Sequence, residues 1–198
     1  MIFFVSQKRF PAESGYTAIE LLVVSSIMIT ISAIVLLGFG VLNDSVALNR
    51  SARDLAVVLR RAQNMTLAVT GISAIGNVVP PAVGIELTKG SSVYYMFGDR
   101  NDVTSPNNFR YDSSNERIQE NTFDRGVRVK EFRVAGGIAF TPVGNKLNIV
   151  FSAPEANPDI TDGDGAGAPP DAVDIVLESG SGKTKTITIR ESGQISVK

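Results

Sequence analysis

A long uncharged run begins within the stretch Ser14-Gly15-Tyr16-Thr17-Ala18-Ile19-Glu20-Leu21-Leu22-Val23-Val24. Glu20 is the last charged side chain before Asp44, so the 23 residues from 21 to 43 carry no charge. A helix of that length can cross a bilayer. An acid inside such a segment is costly in an apolar medium and is a functional-site hypothesis by default. The sequence therefore predicts a transmembrane helix over residues 16–42, with Glu20 as its candidate site.

Three interpretations of this segment are open. It can be a secretory signal cut near Ser45-Val46-Ala47, a plain single-pass anchor, or a prepilin-type signal. The uncharged run is longer than the signal core of about 7 to 15 residues in a secretory signal, and a plain anchor does not explain Glu20. The basic residues Lys8 and Arg9 precede the run, so the positive-inside tendency places residues 1–15 in the cytoplasm and the rest of the chain outside.

The segment from Gly15 to Val24 resembles the N-terminal class III signal of type IV pilins and pseudopilins. The resemblance implies that residues 1–15 are a leader, which a membrane prepilin peptidase removes by cutting after Gly15. Tyr16 then becomes the methylated mature N-terminus, and Glu20 is the acid on the fifth mature residue that serves assembly. The implied partners are the peptidase, other pilin or pseudopilin subunits, an inner-membrane assembly platform and the membrane itself.

The chemistry expected of Glu20 also follows from the residues. Cleavage exposes the α-amine of Tyr16, which is mostly protonated near neutral pH. A carboxylate near a helix N-terminus is favoured by the helix dipole. A buried and unpaired charge is strongly destabilising, so pairing with an amine can set the register between subunits. The resemblance implies that this amine belongs to a neighbouring subunit. The alternative is an interfacial acid that reaches the lipid headgroups.

Beyond Asp44 the apolar residues form a stripe with helical spacing, which predicts an amphipathic half of the same helix over residues 43–70. The stripe contains Leu48, Ala52, Leu55, Leu59 and Ala62. The helix is predicted to end at about Val69, before Gly71. Gly38 and Gly40 weaken the helix, and we expect a bend or local melting there when subunits pack.

Residues 71–198 are predicted to form a β-rich globular domain. Two alternating runs flank Lys89-Gly90-Ser91, which predicts a hairpin. Further strands are predicted at 127–134 with an irregularity near Glu131, and at 138–141, 147–151, 173–177, 186–190 and 195–197. The predicted fold class is α+β, with a long N-terminal helix packed on mainly antiparallel β-sheet, as the resemblance to pilins also implies.

Three further stretches narrow the resemblance to the GspH/FimT-like branch of pseudopilins. They are the helical segment from Ser51 to Gln63, the stretch Phe97-Gly98-Asp99-Arg100-Asn101, and the closing segment from Ile187 to Val197. The resemblance implies a minor subunit, held in the inner membrane with its N-terminus in the cytoplasm and its globular domain outside. Such a subunit then joins a periplasmic or cell-surface filament. Whether that filament is a type IV pilus, a type II secretion pseudopilus or a competence fibre is left open.

The composition argues against several function classes. The net charge of −1 offers no general attraction to nucleic acid or anionic lipid. The chain contains no Cys and no His, which removes thiolate chemistry, the commonest general base and the commonest metal ligand. No enzymatic activity is predicted.

A group of acids makes calcium a candidate ligand. Asp159, Asp162, Asp164, Asp171 and Asp174 crowd a Gly/Pro-rich loop. Oxygen ligands on a loop suit Ca²⁺, so Asp162 and Asp164 are candidate metal ligands. Ala166 and Val173 stand where an EF-hand needs ligands. The alternative is a solvated loop and no cofactor.

Basic residues cluster in the last hairpin, namely Lys183, Lys185, Arg190 and Lys198. Some FimT-like minor pilins bind DNA through a C-terminal segment with a Gly-Arg-x-Arg-like pattern. Here Gln194, Ile195 and Ser196 follow Gly193, so the arginines are missing, and nucleic acid is not expected as a partner. The alternative function is a membrane-anchored extracytoplasmic domain that binds DNA, a glycan or Ca²⁺ and does not polymerise.

Overall fold

The structure is a computed structural model that describes residues 15–68, 70–100, 109–134, 137–162 and 172–198. Contacts divide the chain into two compact units, Met1–Gly40 and Val41–Lys198. One helix, α1 (Ala18–Ala68), runs through both units. The predicted helix is thereby confirmed, with its start moved from residue 16 to residue 18.

The described part of the first unit is the apolar half of α1. The window Ala18–Leu36 has a mean hydropathy of 2.4, and none of it is buried within the protein. Its length and composition fit either a membrane anchor or a signal sequence. Hydroxyls within it bond to their own helix, since Ser25 donates to the carbonyl of Leu21 (2.7 Å) and Thr30 to that of Ser26 (2.8 Å). Both hydroxyl groups therefore donate without water, as an apolar medium requires.

In the second unit α1 buries the stripe that the sequence predicts. Leu55 and Leu59 are fully buried, and Leu48, Ala52 and Ala62 are at most 4% exposed. Polar contacts join the same face of the helix to the sheets. The Ser51 hydroxyl accepts the N–H of Asp124 (3.0 Å), and the Thr66 hydroxyl donates to the carbonyl of Phe151 (3.1 Å).

Among the described residues, ten strands follow the helix and form two five-stranded antiparallel sheets, which confirms the α+β class. The strands are β1 (Ala82–Thr88), β2 (Val93–Asp99), β3 (Arg117–Thr122), β4 (Arg128–Val134), β5 (Ile138–Phe140), β6 (Lys146–Ser152), β7 (Pro158–Asp162), β8 (Ala172–Glu178), β9 (Thr184–Arg190) and β10 (Ile195–Val197). The first sheet has the order β3-β2-β1-β6-β7 and the second β10-β9-β8-β4-β5. The register of β4 against β8 shifts between Val129 and Glu131, as the irregular sequence there predicts.

The sequence analysis does not predict two of the strands, β3 and β7. β7 takes the place of part of the predicted acidic loop. β3 is polar and partly exposed, so it has no clear apolar alternation. β7 begins with Pro158 at the edge of the first sheet, where a residue without an N–H is tolerated. Asp159 and Asp162 therefore belong to β7, and Asp174 belongs to β8, rather than to a loop.

The core of the second unit is one cluster to which α1 and both sheets contribute. The largest fully buried side chains include Phe132 and Phe151, one from each sheet. A smaller cluster lies on the other face of the first sheet, around Phe97 and Val150. Gly84 makes room for it, because a Cβ there would lie 2.8 Å from the Phe97 ring and 2.9 Å from Val150. A side chain at this position of β1 would push the two apart.

Two buried carboxylates hold the segment between β2 and β3. Asp99 accepts the N–H of Phe109 (2.7 Å). Glu116 accepts the N–H groups of Arg100 (3.2 Å) and Asp112 (2.8 Å). Burial raises the pKa of Glu116, and the backbone hydrogen bonds to its carboxylate oppose that rise.

A third buried acid is paired across the first sheet. Glu86 in β1 is 3% exposed, and Nζ of Lys146 in β6 donates to its two oxygens at 3.1 and 3.2 Å. Burial raises the pKa of Glu86, and the Lys146 ammonium opposes that rise. Because the folded pKa lies above the unfolded one, the contribution of Glu86 to stability is fully present below its ordinary pKa. It is lost as the pH rises through the folded pKa.

We predict that Lys146→Met destabilises the second unit in a pH-dependent way. At pH 7 the substitution leaves a buried carboxylate without its cation and lowers the free energy of unfolding by about 2 kcal/mol. The loss shrinks as the pH falls below the ordinary glutamate pKa, because Glu86 is then neutral. Denaturant unfolding of the full chain in detergent, followed by the near-ultraviolet circular dichroism of tyrosine, measures both values.

The matched control for this prediction is Lys130→Met. Lys130 pairs with Glu178, which keeps a second partner in Arg128. These two cations lower the pKa of Glu178. We expect Lys130→Met to cost well under 1 kcal/mol. A penalty for Lys146→Met that matches the control, or that is as large at pH 4 as at pH 7, contradicts the prediction.

Candidate assembly site at the helix N-terminus

Thr17, the residue directly before α1, binds the Glu20 carboxylate. Oε2 of Glu20 accepts both the backbone N–H of Thr17 (2.9 Å) and the Thr17 hydroxyl (2.9 Å). The Thr17 hydroxyl in turn accepts the N–H of Glu20 (3.3 Å), and the Thr17 carbonyl accepts the N–H of Leu21 (3.2 Å). This arrangement is a reciprocal capping box with Thr17 as the N-cap. It satisfies N–H groups that every helix leaves without a partner at its start.

The sequence contains the signal for this cap. Thr17-Ala18-Ile19-Glu20 has a hydroxyl residue three positions before a glutamate, directly ahead of an apolar run. The sequence analysis predicts the α-amine of Tyr16 as the partner of Glu20. The structure shows that Thr17 binds Glu20 before any cleavage. Thr17 is therefore the site residue that the sequence reasoning missed.

The cap binds only one of the two oxygens of the Glu20 carboxylate, Oε2. Within the part of the chain that the structure describes, Oε1 of Glu20 accepts no hydrogen bond. A carboxylate oxygen without a donor is costly in an apolar medium. The geometry thus allows a second donor, such as an ammonium group, to bind Glu20 without displacing Thr17.

The predicted processing residues precede this cap. Gly15 and Tyr16 lie before α1 in irregular backbone, and Tyr16 is 87% exposed. Of the residues that the structure describes, none comes within 4 Å of the position that a Cβ would take at Gly15. Exposed irregular backbone is the form in which proteases cut a chain. Residues 1–14, which include Lys8 and Arg9, lie outside the described residues.

The predicted calcium site is not brought together by the described residues. The backbone of Asp162 lies in β7, its side chain is outside the description, and Asp164 and Asp171 are outside it altogether. Asp174 accepts the hydroxyl of Thr188 in β9 (2.6 Å). Among the residues described, no group of three acids is placed to hold a metal ion.

The basic hairpin is partly engaged within the protein. The turn between β8 and β9 brings Nζ of Lys183 to the hydroxyl of Ser45 in α1 (2.6 Å). Arg190 remains exposed at the end of β9, and Glu191 follows it directly. One of the four basic residues thus contacts a hydroxyl of α1, and another is followed by an acid.

Comparison of the chain with protein-family models, with characterised proteins and with solved structures found no match.

We predict that Thr17→Val loosens the first turn of α1. The substitution keeps the shape of the side chain but removes the hydroxyl that caps the helix, a contribution of about 1 kcal/mol. The amide of Glu20 should then exchange with deuterium about fivefold faster. Nuclear magnetic resonance of the full chain in detergent micelles measures this rate.

Two variants control for other effects of this change. Thr30→Val removes a hydroxyl from the same helix but not from its cap, and should leave the exchange of the Glu20 amide unchanged. Thr17→Ser should retain the slow rate, because serine caps a helix as well as threonine does. Equal rates in Thr17→Val and in the unmodified chain would show that the cap does not hold the helix start.

Proposed function

We propose that this chain is a structural, minor subunit of a type IV pilus or of a type II secretion pseudopilus. It is cut after Gly15 and polymerises through α1. The observation that carries the proposal is the carboxylate of Glu20, which lies in the first turn of α1. It belongs to the apolar window Ala18–Leu36, none of which is buried, and one of its oxygens has no donor among the described residues. A plain anchor has no use for an acid at that position.

In assembly, Oε1 of Glu20 gains a donor and the apolar surface around it is covered. Removal of the leader produces an α-amine on Tyr16, and the amine of one subunit binds Oε1 of Glu20 in the next. Thr17 keeps Oε2 throughout, so the carboxylate stays aimed toward the helix N-terminus. Neighbouring helices cover Ala18–Leu36 in place of lipid, and the amine–carboxylate pair fixes their register.

The precursor on this proposal is a single-pass protein of the inner membrane. Its N-terminus lies in the cytoplasm and its second unit lies outside, before the subunit moves into a periplasmic or cell-surface filament. Its partners are the prepilin peptidase, other pilin or pseudopilin subunits and the inner-membrane assembly platform. Catalysis resides in those partners rather than in this chain.

We predict that a prepilin peptidase converts the chain to a form that begins at Tyr16. Cells with the peptidase should contain a product shorter by 15 residues, with a methyl group on its N-terminal nitrogen, whereas cells without it should contain only the precursor. Immunoblotting and mass spectrometry of the purified product measure both features. Identical migration in the two cell types, or a product that begins at Ala47 or Leu48, would exclude the proposal in favour of another export route.

We further predict that Glu20→Ala separates processing from assembly. The variant should be cut normally but should be lost from sheared extracellular or periplasmic filaments by at least tenfold, because the amine of the neighbouring subunit has no acid to bind. Ser25→Ala is the control, since it removes a polar group from the same helix without touching the carboxylate. Normal filament content in Glu20→Ala would instead favour a tethered ligand-binding domain that does not polymerise.

A further inference from the structure

The side of α1 that faces away from the sheets carries a second feature, a shallow groove. We call it the helix groove, and its lining residues are Val57, Arg60, Arg61, Asn64, Met65 and Ala68. Val57 is 60% exposed, and Leu67 beside the groove is 51% exposed. Neither side chain contributes to the core, so the stability of the fold does not explain them. Grouped apolar residues at an exposed surface mark sites of interaction.

The helix groove is bordered by positive charge. This side of α1 carries Arg50, Arg53, Arg60 and Arg61 and one acid, Asp54, whereas the rest of the sequence contains 15 basic and 19 acidic residues. Arg50 is paired with Asp54 and Asp124, so the positive charge near the groove comes from the other three arginines. Arg60 reaches the carbonyl of Ile195 (3.5 Å) and Arg61 the amide oxygen of Gln119 (2.8 Å), and neither forms a salt bridge within the described residues. A complementary partner is therefore acidic, which matches the surplus elsewhere on this same chain.

An acidic surface lies on the flank of the same helix. Gln63 donates to the carbonyl of Ala156 (3.2 Å), and Gly193 in the turn between β9 and β10 approaches the Gln63 side chain. These contacts bring two loops to one flank of α1, and each loop carries an exposed acid, Glu155 or Glu191. We call these two residues the acidic flank. Neither forms a salt bridge with any residue that the structure describes.

The two surfaces face different directions. At 100° per residue, Gln63 lies about 120° around the helix axis from Val57. Within one copy Val57 stays 60% exposed, and neither glutamate pairs with Arg60 or Arg61 among the described residues, so the acidic flank leaves the helix groove open to another copy. A contact between two different surfaces is heterologous, so it joins two adjacent copies head to tail.

We propose that the helix groove of one copy of this chain receives the acidic flank of the next copy. Glu155 and Glu191 bind Arg60 and Arg61, and the turn that carries Glu191 covers Val57. This inference rests on the proposed function, for which it supplies a contact between the second units of adjacent subunits. It is independent of the pairing of Glu20 with an amine.

Cysteine cross-linking tests the contact, because the chain has no cysteine of its own. Full-length chains that carry Val57→Cys and Ser192→Cys, with different tags, are produced together in cells and oxidised in isolated membranes and sheared filaments. We expect a mixed disulfide between the two tags. Val143→Cys is the matched control, since Val143 is also exposed, at 47%, and makes no part of either surface. It should give at least tenfold less adduct with Ser192→Cys.

Charge reversal tests whether the arginines and acids are responsible. Arg60→Glu with Arg61→Glu should reduce the mixed adduct at least fivefold, and Glu155→Lys with Glu191→Lys in the Ser192→Cys chain should restore it. Lys89→Glu with Arg125→Glu, an equal charge change at exposed residues of two other turns, should leave the yield unchanged. A predominant adduct between two Val57→Cys chains, or no more adduct than with Val143→Cys, would overturn the proposal.

The same gels show whether each chain keeps the leader, residues 1–15. This distinguishes failure of the proposed contact from failure of the proposed function. Processed chains in filaments that give no mixed adduct would refute the contact and leave the function standing. A mixed adduct between chains that keep their leader would support the contact as a membrane-bound assembly and refute polymerisation after cleavage.

Discussion

Burial of the α1 stripe against both sheets is the interaction on which the second unit depends. Leu55 and Leu59 are fully buried in a core to which both sheets contribute, so removal of the helix would expose the inner apolar face of each. Each such side chain contributes about 1.5 to 3 kcal/mol by its burial. The window Ala18–Leu36 is more apolar still, yet none of it is buried by the described protein. Burial within the described protein therefore contributes nothing to its stability.

The same physical problem, an acid in apolar surroundings, is solved in two ways in this chain. Glu86 is enclosed by the first sheet and is balanced by Lys146, so its neutralisation is complete within one molecule. Glu20 is oriented by Thr17 but has no cation among the described residues. The first arrangement serves the fold alone. The second leaves one carboxylate oxygen to a further donor, which under the proposed function is a new N-terminus.

Local pattern predicted most elements of the fold. Period-two alternation located eight of the ten strands, and the broken alternation near Glu131 marked the register shift of β4. The two strands that the sequence does not predict, β3 and β7, are edge strands. They consist mainly of polar residues or begin with a proline, so they contain too few apolar residues for a regular alternation. At the candidate site the sequence identified Glu20, and it also contained the Thr-x-x-Glu signal that would have identified Thr17.

The sequence by itself determined the membrane-length apolar helix, its amphipathic continuation, its cap and the α+β class, because each of these depends on spacing along a few turns of chain. Only the tertiary structure decided the order of the strands and the pairing of Glu86 with a lysine 60 residues away. It also decided the approach of two distant loops to Gln63, which creates the acidic flank. These features arise from contacts between segments far apart in the chain, and local periodicity contains no information about which segments meet.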